Sequence, residues 1–171
     1  MKWKSTIKEW YAFTFPTLAH EFDIDCGDHQ IKEGYYNETF SLKINRSLRE
    51  NNIEFKFCQP TQGEAPDILI VIANHDNGID SKHKAITLTE ADSTKIASLF
   101  DLAWEYNKRD NASGMDGSYW CLSTRNVHTV TKGCFWTPTS KPQKRGLSGL
   151  SNLGTFLWEY TELEIKHGAV Y

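Results

Sequence analysis

Apolar positions recur every second residue up to about residue 72. Helical spacing then appears twice, around one further alternating stretch. Period-two alternation marks strands with one buried face. Residues 18–26 set Phe22, Ile24 and Cys26 against Glu21, Asp23 and Asp25, which predicts a strand with a wet, acidic face. Residues 35–44 put Tyr36, Phe40, Leu42 and Ile44 on the core side, with Glu38 breaking the row. Ile53, Phe55 and Phe57 form the next strand after an Asn51-Asn52 loop, and the three predict an antiparallel meander. Residues 59–67 read as a loop, and 68–72 as a continuous apolar strand buried on both faces. The polar segment 74–84 turns at Asp76-Asn77-Gly78 and leads to a short strand over 85–88. Residues 3–15 fit a short helix or an extended lead-in to Pro16.

Thr89-Glu90-Ala91-Asp92 reads as a capping box with Asp in place of Glu. The helix it starts carries Ile96, Leu99, Phe100, Ala103 and Trp104 on one stripe and is predicted to end near Asn107. Leu147, Leu150, Leu153, Leu157 and Tyr160 mark a last helix over 146–160. Gly149 and Gly154 each weaken that helix by about 1 kcal/mol relative to Ala, so it depends on tertiary packing.

Between the helices lies the stretch 114–138. Asp116-Gly117 is a turn former. Residues 119–124 alternate, with Trp120 and Leu122 opposite Tyr119, Cys121 and Ser123. Arg125-Asn126 predicts a two-residue turn, and 127–136 the return strand, with a bulge or close approach at Gly133 and a stop at Pro138. Trp120 and Trp136 are expected in the core.

This stretch resembles a group of bacterial proteins with no assigned chemistry. They share a Gly-[Leu/Met]-Asp-Gly-x-x-Trp turn-strand, a return strand ending Trp-x-Pro, and flanking amphipathic helices. The matching residues are Gly114, Met115, Asp116, Gly117 and Trp120, then Trp136, Thr137 and Pro138, and the resemblance covers residues 85–160. His128 and Val130 stand where the group has an aromatic midway along the return strand. The resemblance points to toxin-immunity proteins and brings no catalytic residue with it.

Strands first, then helix, hairpin and helix predict an α+β fold: an antiparallel sheet with two amphipathic helices on one face, in a single domain over 1–171. No apolar run is long enough to span a membrane, and the first residues lack the apolar core of a signal peptide. A cytoplasmic protein is the expectation. Cys26, Cys58, Cys121 and Cys134 form no Cys-x-x-Cys pair, which argues against a zinc ribbon. Cys121 and Cys134 lie on strands that pair, so a cross-strand bridge is open to them. Reduced, buried thiols are the expectation in a cytosolic chain.

The densest set of ligand-type side chains is the cluster 20–29, with His20, Glu21, Asp23, Asp25, Asp28 and His29. Along a strand the three carboxylates would stand about 7 Å apart. Such a set is suited to Mg²⁺ or Mn²⁺ in a metal-dependent hydrolase, the alternative function. The segment 74–83, with His75, Asp76, Asp80 and His83, has fragments of a calcium loop without its terminal acid. His128 has Ser123 and Cys121 across the predicted hairpin but no third, orienting group.

Charge layout is more informative. Residues 20–40 hold six acids against Lys32 alone, while 117–158 hold Arg125, Lys132, Lys141, Lys144 and Arg145 with no acid; net charge is −3. Nucleic-acid domains are usually basic, so that partner is not expected. The leading expectation is an immunity protein that is not an enzyme and needs no cofactor or metal. It blocks the basic surface of a toxin, plausibly a nuclease, through Glu21, Asp23, Asp25, Asp28 and Glu33. Asp116, Gly117, Trp120, Trp136 and Pro138 are expected to be structural.

Overall fold

The computed structural model describes residues 10–11, 36–46, 52–74, 81–105, 110–114, 116–125 and 130–161. The strands are β1 (Trp10–Tyr11), β2 (Tyr36–Arg46), β3 (Asn52–Pro60), β4 (Ile68–Asn74), β5 (Ser81–Thr87), β6 (Ser118–Arg125) and β7 (Val130–Trp136). The helices are α1 (Glu90–Trp104), the single turn α2 (Pro142–Arg145) and α3 (Ser148–Tyr160). The strands form one sheet in the order β1-β5-β4-β3-β2-β6-β7, with every pair antiparallel. The fold is α+β, as expected.

One core cluster joins Phe40, Leu42, Ile44, Phe55, Phe57, Leu69, Val71, Trp120 and Leu122 of the sheet to Ile96 and Leu99 of α1 and Leu150, Leu153 and Leu157 of α3. The two longer helices thus cover the same sheet face. They run antiparallel: Gly149 lies against Leu102 and Ala103, and the Tyr160 hydroxyl donates to the Asp92 carboxylate at 3.1 Å. Stacked rings tie α1 down. Phe40 stacks on Phe57 at 5.4 Å and on Phe100 at 4.4 Å, and Phe100 on Trp104 at 5.7 Å. Trp104, expected in the core, is only half-buried at its edge.

The opposite face is buried too, at Tyr36, Cys58, Ile68, Ile70 and Ile72. The continuous apolar run of β4 therefore serves both faces, as its lack of alternation predicts. Tyr36 departs from expectation, because it does not share a face with Phe40. Glu38 pairs with Cys58 and Phe40 with Phe57, so Thr39 is an extra residue in β2, and the bulge reverses which residues face the helices. A bulge leaves no period-two signature. Strand β5 begins well before the predicted 85–88, because Ser81–Asn74 through Thr87–Ile68 all pair. Its polar residues are carried by the ladder rather than by their own patterning.

The central hairpin forms, with two corrections. Arg125, predicted in the turn, instead pairs with Val130 in the ladder, and Asn126 and the predicted first residues of the return strand fall outside the described residues. Gly133 sits in register opposite Leu122 without a bulge. Instead the Phe135 ring folds over it, 3.1 Å from where a Cβ would stand. The last predicted helix forms undivided as α3, from Ser148, and the separate single turn α2 precedes it. Gly146, at φ 70°, caps α2 and separates it from α3.

Candidate functional site

The predicted partner-binding residues Glu21, Asp23, Asp25, Asp28 and Glu33 lie outside the described residues, as do His20, His29, His75, Asp76, Asp80 and His128. His83 belongs to β5, in register between Tyr11 and Ile72. Among the described residues, no group of three or more His, Cys, Asp or Glu side chains is placed to hold a metal ion.

The structure brings together a different set of acids. The β3–β4 loop and the first turns of α1 enclose an open cleft of about 510 Å³. Glu64, Asp67 and Glu90 line it with Ser93 and Thr94, over a floor that includes the buried Leu88, and among the described residues no basic side chain lines it. Local bonds hold both walls. The Leu88 amide donates to the Asp67 carbonyl at 2.9 Å, and the Tyr36 hydroxyl donates to the Pro66 carbonyl at 3.1 Å. On the helical wall the Thr89 hydroxyl oxygen accepts from the Asp92 amide at 3.2 Å and donates to the Asp92 carboxylate at 2.7 Å. That is the predicted cap, and it starts α1 at Glu90, one of the residues lining the cleft. Acids here also complement the amino-terminal end of the helix dipole. These acids come from segments far apart in sequence, so no local pattern could announce the cleft.

The motif residues have structural places. Trp120 is buried, with its indole N–H donating to the Ser118 hydroxyl at 2.8 Å. Trp136 is half-buried against Gly114 and Gly117, where a Cβ on either glycine would overlap its ring. Asp116 is exposed at the bend, and Pro138 is buried. Thr137 between them is a β-branched residue at φ 38°, an unfavourable conformation. Four bonds hold it: to the Ser118 carbonyl at 2.7 Å, from the Ser118 amide at 3.2 Å, from the Ser140 amide at 3.0 Å and from Arg145 at 2.8 Å.

Arg145 overturns part of the charge reading. It does not project from the basic loop. It forms an ion pair with Asp110 and donates to the carbonyls of Trp136 at 2.6 Å, Thr137 at 2.8 Å and Ser140 at 3.0 Å. The hydrogen bond from Arg145 holds the Asp110 carboxyl below its ordinary pKa. Lys141, Lys144 and Lys132 remain exposed.

The cysteines also differ from the reduced thiols expected. Cys121 and Cys134 are cross-strand partners with Cα atoms 4.1 Å apart, and they are joined in a disulfide. Cys58 is disulfide-bonded as well. No family model matches the sequence, and no curated protein or solved structure is similar enough to carry an argument. Among the described residues, no helix is long and apolar enough to cross a membrane.

Proposed function

We propose that this chain is a protein-binding immunity protein, antitoxin-like, that neutralises a toxin by covering its basic surface, plausibly that of a nuclease. The observation that carries this reading is the acidic cleft at the head of α1. Glu64, Asp67 and Glu90 line one open cleft, and among the described residues no cation lines it with them. Single-sign concave surfaces concentrate field and speed the encounter with an opposite charge. The acidic stretch with Glu21, Asp23, Asp25, Asp28 and Glu33 adds charge of the same sign, and a partner rich in Lys and Arg is the chemistry both select.

The test is association with the product of the neighbouring gene, measured by stopped flow at two ionic strengths. Glu64→Lys with Asp67→Lys is expected to slow association roughly tenfold or more, an effect that shrinks at high salt. Asp23→Lys with Asp25→Lys is expected to do the same while leaving the thermal midpoint unchanged or raised, since like charges in a row repel. If both charge-reversed proteins bind as fast and as tightly as wild type, the acids are only solvated faces. The disulfides bear on location. Stable bridges persist in oxidising compartments, whereas those of cytosolic proteins are usually transient. A cytoplasmic immunity protein is consistent with the Cys121–Cys134 bridge if that bridge can open.

A further inference from the structure

We propose that Cys121–Cys134 is a thiol-exchange site, opened by an external dithiol while the fold stays intact. The bridge lies on the sheet face away from α1 and α3, because Trp120, Leu122 and Phe135 take the helix-facing positions. It joins β6 to β7, the last strand of the described sheet. Its two ends are unequal: Cys134 is exposed, whereas Cys121 is buried. A nucleophile from solvent therefore reaches the Cys134 sulfur first, and Cys121 is the leaving group.

The surroundings suit that role. Register places Glu54, Lys43, Cys121 and Cys134 in one cross-strand row, with Lys43 directly beside Cys121. Lys132, two residues before Cys134, is on the same face and exposed. Adjacent cross-strand side chains lie about 5 Å apart. The Lys43 ammonium favours the thiolate that departs at Cys121, and Glu54, one strand further, offsets it more weakly. A lower-pKa thiol leaves faster. Lys132 favours the approach of an anionic thiolate at Cys134.

The exchange balances. An incoming thiolate attacks the Cys134 sulfur, forming a mixed disulfide and releasing Cys121 as thiolate. The second thiol of the dithiol then attacks its own partner sulfur, releasing Cys134. The dithiol is oxidised by two electrons to its disulfide, and the protein gains two thiols. The opened hairpin keeps its backbone ladder and the packing of Phe135, so β7 loosens at the edge without loss of the core.

Limiting dithiothreitol, an acid quench, alkylation and peptide mapping test this. The expected result is labelling of Cys121 and Cys134 together, before Cys58, with the native circular dichroism retained. Reduced glutathione in place of dithiothreitol is expected to leave its adduct on Cys134. Lys43→Gln is expected to lower the rate of opening, because a leaving thiol of higher pKa departs more slowly. In Cys121→Ser the remaining Cys134 thiol should react at once with an aromatic disulfide reagent, and in Cys134→Ser the Cys121 thiol should react slowly. Opening that waits for unfolding, or an adduct on Cys121, overturns the proposal. An unchanged rate in Lys43→Gln overturns the role given to the lysine. The glutathione result on the wild-type protein stands even if a cysteine variant fails to fold.

Discussion

Gly154 shows how a residue that weakens its own helix can be needed by the fold. Its open face receives the Trp120 ring, and a Cβ there would fall inside that ring's contact distance. Replacing Gly by Ala in a helix interior is worth about 1 kcal/mol of propensity. Overpacking a tight contact costs about 1–3 kcal/mol. Gly154→Ala is therefore expected to destabilise on balance, read as a lower denaturation midpoint in urea. A midpoint raised by Ala would mean that Trp120 has room to shift. Tyr160 offers a second test at this scale. Burial, then the hydrogen bond to Asp92 and that group's charge, raise its pKa to about 12. An unfolded tyrosine titrates near 10. The folded state thus holds its proton more tightly, and this stabilisation is complete below pH 10 and lost as pH rises through about 12. Unfolding in urea across that window should show a loss that Tyr160→Phe flattens. Equal slopes in the two proteins would remove Tyr160 as its cause.

At the scale of elements, the connection after β7 is fastened by one side chain. Arg145 bonds the carbonyls of Trp136, Thr137 and Ser140 and the Asp110 carboxylate, and so joins the segment before β6 to the turn beyond β7. A planar fork can satisfy all of these at once, and a lysine cannot. Arg145→Ala is expected to cost about 2–3 kcal/mol, since hydrogen bonds to charged groups are the stronger class, and Arg145→Lys should recover only part of it. The Asp110 pKa is lowered, so the pair's contribution is present above the unfolded carboxylate pKa and fades as pH falls through the folded one. Asp110→Asn should therefore flatten the acid limb of stability, measured as thermal midpoint from neutral pH downward. An acid limb unchanged by the substitution would mean other carboxylates set it. Nothing in the string Lys141-Pro142-Gln143-Lys144-Arg145 separates the fastened arginine from the exposed lysines, which is why charge counting grouped them.

For the whole molecule, local patterning was enough for the elements that carry a clear period. The stripe of α1, the alternation of β2, β3 and β6, and the two-sided burial of β4 were legible because burial acts on each segment through its own spacing. The Thr89 cap was legible for the same reason, since its bonds span three residues. Four features depended on residues distant in sequence. The bulge at Thr39 changed which face Tyr36 occupies, and register with β4 extended β5 over polar residues. The acidic cleft joins the β3–β4 loop to α1, and the Cys121–Cys134 bridge became definite only when strand register made the two residues partners. A sequence carries period, capping and turn chemistry in adjacent residues. Register, enclosure and pairing are set by long-range contacts whose partners no local pattern names, so the tertiary structure alone decided them.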